Sequence, residues 1–144
     1  MLFDETILKT DCEAPDRPTP GPLVWLKQFA SAVRGRSFAA GRELCDQHIS
    51  AFGTVVFRVD RLDELEARQW QVIWNSTRDF DFDYESAVVH AAGGMAVLLA
   101  TWSSIGINDN GNGFQRRGRA TIVLEIQGNT WRAIHTHFST DPTP

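Results

Sequence analysis

The chain has 144 residues, of which 42% are hydrophobic and 22% are charged, and its formal net charge at pH 7 is −4. These values fit one globular domain with a single core, and they exclude a mostly disordered chain. The acidic balance, with its only basic cluster at Arg116, Arg117 and Arg119, argues against a nucleic-acid-binding protein, which needs a basic surface.

The N-terminal residues and the cysteines bear on where the protein resides. Residues 1–10 lack the basic and apolar regions of a signal peptide, and no stretch is apolar for long enough to span a membrane. Cys12 and Cys45 are too few for a disulfide framework and lack metal-binding spacing. We therefore expect a cytoplasmic protein with free thiols and no membrane contact.

Prolines divide the chain into a lead-in and one domain. Pro15, Pro18 and Pro20 lie among acidic and polar residues and cannot be accommodated in a helix interior. We expect a flexible lead-in over residues 1–20 and a single domain over residues 21–144.

Three helices are predicted at the start of the domain, from apolar residues that recur at helical spacing. The first begins at Pro22, which suits a first helical position, and ends at Gly35. The second covers about residues 38–48. The third follows Asp63, whose side chain can cap the helix while Glu66 returns the hydrogen bond.

After Ser76 the apolar period changes from helical spacing to alternation. Turn residues divide this half into four predicted strands, near 80–91, 95–105, 114–126 and 131–138, joined as an antiparallel meander. The predicted fold class is therefore α+β, with three N-terminal helices packed on a curved antiparallel sheet.

The last two predicted strands carry a family resemblance. They read Arg119-Ala-Thr121-Ile-Val123 and Trp131-Arg-Ala-Ile-His135-Thr-His137-Phe-Ser139, which resembles the closing hairpin of SnoaL-like and calcium/calmodulin kinase association domains. With the helix order, the resemblance extends from about Pro22 to Pro142. It implies the cystatin-like cone of the superfamily that includes nuclear transport factor 2 and the ketosteroid isomerases, with a pocket between the helices and the concave sheet face and a homodimer through the convex face.

The ketosteroid isomerase catalytic set is not matched. That mechanism needs a carboxylate base, a tyrosine and a protonated carboxylic acid. The resemblance aligns these positions with Ala51 or Phe52, with residues 28–29 and with residues 116–119, none of which supplies the group required.

Aromatic residues and one arginine are the candidates for ligand binding in such a pocket. A largely apolar ligand is expected to contact the six residues Trp25, Phe29, Trp70, Trp74, Trp102 and Arg116. Arg116 shares its strand face with Ala120 and Ile122 and can pair with a ligand carboxylate at the pocket mouth. The alternatives are core packing for the tryptophans and a solvated position for the arginine.

Asp46 and His48 are the candidate catalytic pair, expected at the end of the second helix. A desolvated aspartate beside a histidine can serve as a general base, as the resemblance to scytalone-dehydratase-like proteins implies. The alternative is that Asp46 is a surface or capping residue.

The histidines of the last strand, His135 and His137, share one face by alternation. If Ile134 and Phe138 face the helices, the histidines lie on the convex face. We expect them in a homodimer interface with three neighbours on the same face, Arg119, Thr121 and Trp131. The alternative is that the two imidazoles share a substrate proton or a metal, although no third ligand is evident.

The leading hypothesis is a homodimeric domain that binds a small, largely apolar molecule. We expect no metal and no cofactor. One alternative is a cofactor-independent isomerase or dehydratase that uses Asp46 and a histidine. Another is an assembly or accessory domain whose sheet is an interaction surface.

Overall fold

A computed structural model describes residues 21–142, so the lead-in predicted for residues 1–20 lies outside the described residues. The first helix, α1 (Pro22–Gly35), has the predicted bounds, and it ends where Arg36 adopts a left-handed φ of 52°. Its buried side consists of Trp25, Leu26, Phe29, Ala30, Ala32 and Val33. This side packs toward the sheet and forms one wall of the core.

The second helix is shorter than predicted. Helix α2 covers Phe38–Glu43, and the chain then enters a strand, β1 (Cys45–Phe52). The prediction of helix over residues 38–48 was therefore wrong in its second half. The physical reason is that β1 pairs in parallel with the last strand, β6 (Thr130–Thr140), which supplies partners for its backbone.

The third helical segment has the predicted position but an irregular centre. It consists of α3 (Leu62–Leu65), a π-helical turn (Glu66–Trp70) and α4 (Gln71–Trp74). In the π turn, the consecutive residues Gln69 and Trp70 are both buried. A wider turn of this kind occurs often at functional sites.

The capping predicted for this segment was wrong. Asp63 lies inside the helix, and the capping position is held by Arg61 without a side-chain hydrogen bond. Asp63 and Glu66 instead accept hydrogen bonds from Arg42 of α2, at 2.6 and 3.1 Å. The two acidic residues therefore tie helices together rather than starting one.

Within residues 21–142, six strands form one sheet in the order β1-β6-β5-β4-β2, with β3 also pairing with β4. All pairs are antiparallel except β1 with β6. The other strands are β2 (Thr77–Phe82), β3 (Val88–Ala92), β4 (Met95–Ile107) and β5 (Gly113–Gln127). The strand predicted near 80–91 is thus two strands, while the last three are confirmed with longer ends. The α+β class is confirmed.

The sheet has an inner face that packs against the helices and an outer face that does not. Leu98, Ile122 and Leu124 on the inner face have no exposed surface. In β6 the register shifts, so that His135 pairs with Val123 and Ala133 pairs with Leu124. Ile134 has no partner between them, and this bulge reverses which side chains of β6 face inward.

None of the helices within residues 21–142 combines the length and the apolar character that crossing a membrane requires.

Candidate functional site

A pocket opens between α1, the third helical segment and the inner face of the sheet. Its space, including the open mouth, is about 510 Å³, and about 50 Å³ of this admits the centre of a water-sized sphere. That is room for a few water molecules or one slim ligand group. The lining is Phe29, Val33, Phe52, Gly53, Thr54, Leu65, Gln69, Trp70, Ile73, Trp74, Phe80, Trp102, Arg116, Thr136 and Phe138.

The structure places five of the six predicted ligand-binding residues around this pocket, and Trp25 is the exception. Trp25 is 2% exposed and does not border the pocket. Its indole N–H donates to the carbonyl of Leu44 at 2.8 Å, and its ring stacks on Phe29 with 5.1 Å between centroids. Trp25 is a core residue that supports the pocket wall from behind.

Aromatic rings form the helix side of the pocket. Trp70 and Trp74 lie one helical turn apart and stack with 4.6 Å between ring centroids. Phe29 of α1 meets both edge-on, at 6.0 and 5.8 Å, and Phe138 of β6 lies 5.8 Å from Phe29. Each ring is therefore fixed by others, and the wall offers flat apolar surface to a ligand.

Gln69 holds the segment that follows β1 at the pocket mouth. Its side-chain oxygen accepts hydrogen bonds from the backbone of Val55 at 2.8 Å and of Val56 at 3.0 Å, while its nitrogen donates to Thr54 at 2.9 Å. A β-carbon at Gly53 would lie 2.4 Å from that oxygen, so only glycine permits this approach. The amino-acid pattern did not point to Gln69, because a π turn leaves no distinct sequence pattern.

Arg116 is the one charged side chain among the described lining residues. It extends from the inner face of β5, as the alternation predicted, and its guanidinium lies 5.3 Å from the centroid of the Trp102 ring. That ring occupies space left by Gly118, where an added β-carbon would lie 2.5 Å from it. Burial lowers the pKa of Arg116 because the site solvates its charge less well than water does.

Asp46 and His48 lie away from the pocket. Both belong to β1 rather than to the end of a helix, and neither borders the pocket. The Asp46 carboxylate accepts hydrogen bonds from the backbone of His48 at 2.8 Å and from Gln127 at 2.9 Å. These bonds, the first being the larger cause, lower the pKa of Asp46. A desolvated base needs the opposite shift, so the arrangement expected of a catalytic pair is not formed.

His135 and His137 lie on the outer face, opposite Val123 and Thr121. The imidazole Nδ1 of His135 is 2.8 Å from the hydroxyl of Ser50 in β1. The ring of Phe52 meets both imidazoles edge-on, at 4.9 and 5.2 Å. Burial is the main cause that lowers the pKa of His135, which favours its neutral form.

Trp131 does not share the outer face with the histidines, and that prediction was wrong. The bulge at Ile134 reverses the alternation, so Trp131 pairs with Ile126 and packs against the core. Arg119, predicted beside it, does lie on the outer face, as does Thr121 opposite His137. The sequence pattern could not reveal the bulge, because simple alternation assigns Trp131 and the histidines to one face.

Among residues 21–142, no three histidine, cysteine, aspartate or glutamate side chains gather closely enough to hold a metal ion. Cys45 is buried at the start of β1, and this burial raises the pKa of its thiol far above the usual range.

Comparison with known families gives one match, which spans most of the chain. The model of the SnoaL-like domain matches residues 24–143. A comparison with curated proteins gives no match.

Solved structures share the fold. A nuclear transport factor 2-like protein from Salmonella enterica has 16% identity and a TM-score of 0.72, covering 84% of this chain and 89% of its own. The association domain of Caenorhabditis elegans calcium/calmodulin-dependent kinase II has 18% identity and a TM-score of 0.61, with coverage of 79% and 88%. A ketosteroid isomerase-like protein from Erwinia carotovora has 10% identity and a TM-score of 0.70, with coverage of 83% and 93%. At these identities the likeness establishes the fold alone, a cystatin-like α+β arrangement.

Proposed function

The chain belongs to the SnoaL-like domain family, and we propose that it binds a small, largely apolar molecule in the pocket between the helices and the sheet. The observation that carries the proposal is the wall of mutually packed aromatic rings around an open space. Flat apolar walls with few polar groups are typical of small-molecule sites. Cores that serve packing alone contain few voids larger than a water molecule.

The size of the pocket limits the ligand. About 50 Å³ admits the centre of a water-sized sphere, so the ligand matches a single aromatic ring rather than a fused polycycle. A larger ligand needs the side chains at the mouth to move. The segment held by Gln69 is the part of the wall that such a movement would displace.

Binding is favoured over isomerase or dehydratase chemistry by the polar groups present. A carboxylate base would have to lie in the pocket, within hydrogen-bond reach of the substrate. The described lining residues include no carboxylate, and Asp46 is held elsewhere by Gln127 and the backbone of His48.

A screen of single-ring aromatic compounds tests the proposal. A ligand that binds the folded state raises its stability by linkage and changes the fluorescence of the pocket tryptophans. Thr136 lines the pocket and is 4% exposed, so Thr136→Met extends a side chain into the space and should abolish both effects. Thr101→Met is the matched control, because Thr101 is an exposed residue of β4 that does not line the pocket. A broad screen without any stabilising compound would instead favour the assembly function.

Homodimerisation through the outer sheet face is a second proposal. That face presents partly exposed apolar side chains, since Phe52, beside the two histidines, is 37% exposed and Leu99 is 39% exposed. An isologous dimer would cover them. Thr121→Arg should shift sedimentation at micromolar concentration toward monomer, whereas Ser31→Arg, on the exposed side of α1, should not. A wild-type monomer would refute the proposal.

A further inference from the structure

Arg116 has no ionic partner in the part of the chain that the structure describes. None of the ion pairs between residues 21 and 142 includes it. Its guanidinium is half-buried over the Trp102 ring. Partial desolvation of an unpaired charge costs free energy, and binding of an anion would offset this cost. The Trp102 ring offsets part of this cost by a cation–π contact.

A second unused polar group lies beside Arg116. Ser104 is directly opposite Arg116 in the pairing of β4 with β5, on the same inner face. It is 2% exposed, and its hydroxyl has no hydrogen-bond partner among the described residues. Directly opposed residues have β-carbons about 5 Å apart. Arg116, which lines the pocket, therefore has beside it on the inner face a buried hydroxyl with unused hydrogen-bonding capacity.

Gln69, another polar side chain at the pocket, already has hydrogen-bond partners for both ends of its amide. Gln69 uses its oxygen for two backbone N–H groups and its nitrogen for Thr54. The amide is therefore committed to the loop at the mouth. An anionic group of a ligand would find its strongest donor at Arg116.

We propose that the ligand is a single-ring aromatic carboxylate, whose ring lies against the aromatic wall and whose carboxylate binds Arg116. This rests on the proposed function and specifies its ligand class. A planar guanidinium donates two parallel hydrogen bonds to a carboxylate, a match that no single lysine provides. The ring then fills the narrow apolar space beside Phe29 and Trp70.

Two ligands that differ only in charge test the inference. Phenylacetate and phenylacetamide have nearly the same shape, and their dissociation constants with the wild-type protein can be measured by calorimetry. A charge-assisted hydrogen bond is worth enough that phenylacetate should bind at least about tenfold more tightly. In Arg116→Met, which keeps a long side chain without the charge, the two constants should become equal. Arg117→Met, on the outer face, should retain the wild-type ratio.

The outcomes separate this inference from the proposed function. Equal affinity of the wild type for the acid and the amide would overturn the carboxylate site while leaving apolar binding intact. Saturable binding of neither compound would count against the pocket as a site for single-ring ligands. The wild-type ratio needs no mutation, so the inference stays testable if Arg116→Met does not fold.

Discussion

Replacing Gln69 with leucine would remove the amide that holds residues 53–56 at the pocket mouth. The variant loses two hydrogen bonds to backbone N–H groups, of Val55 and Val56, and one to the Thr54 hydroxyl. Leucine is of similar size, so the change leaves the packing around the π turn largely intact. The experiment therefore isolates the hydrogen bonds.

The expected loss follows from the burial of each donor. Val56 is 4% exposed, so its N–H finds no water, and an unsatisfied buried donor costs about 1 to 3 kcal/mol. Val55 is 48% exposed, and water can replace the lost acceptor. With the smaller losses at Val55 and Thr54, the free energy of unfolding should fall by about 2 to 4 kcal/mol.

Urea denaturation of the wild type and two variants measures this. Gln71→Leu is the matched control, because Gln71 is exposed and its amide donates a solvent-exposed hydrogen bond to the Glu66 carboxylate rather than holding a buried backbone group. A surface change of this kind should stay within about 0.5 kcal/mol of the wild type. If Gln69→Leu also leaves the free energy of unfolding unchanged, the amide does not hold the loop and our account of the pocket mouth is wrong.

Three further predictions have defined outcomes, two from substitutions and one from a titration. Gly118→Ala should unfold the protein or lower its free energy of unfolding by more than about 3 kcal/mol. The reason is that the new β-carbon would lie 1.8 Å from a backbone oxygen and 2.5 Å from the Trp102 ring. A urea denaturation curve close to that of the wild type would contradict this. His135 has a lowered pKa, so the unfolded state takes up its proton first and stability should fall as the pH drops below about 6.5; His135→Gln should remove that part of the slope. Tyr84 is the one tyrosine of the chain, and burial and its hydrogen bond to Asp81 raise its pKa to about 12 in the folded protein. Ultraviolet titration in urea should instead give a pKa of about 10. The free energy of unfolding should therefore fall as the pH rises above about 10.

Local patterns predicted most of the fold. Helix α1 begins at Pro22 and ends at Gly35, as predicted from these two residues. Alternation identified the three long strands because one face of each strand is buried. The boundary between α2 and β1 was misread because it depends on a distant partner. Residues 45–52 are extended since β6 pairs with them, and the sequence between the two strands gives no local sign of this pairing.

The site was partly predictable for the same reason. Strand parity assigned Arg116 to the inner face, and helical spacing brought Trp70 and Trp74 together. Two irregularities could not be predicted from regular spacing. The bulge at Ile134 breaks the strand alternation and turns Trp131 inward. The π turn breaks the helical spacing and brings Gln69 into the core. Both add a residue to a regular repeat, and the balance of contacts that stabilises such an insertion is tertiary.

The most direct test of small-molecule binding is fluorine NMR of protein labelled with 5-fluorotryptophan. Each of the five tryptophans gives a signal that single substitutions assign. Titration with phenylacetate should shift the signals of Trp70, Trp74 and Trp102, which line the pocket, in a saturable way, while that of Trp131 should stay fixed. Signals that do not move at millimolar ligand, or a shift confined to Trp131, would contradict binding in this pocket.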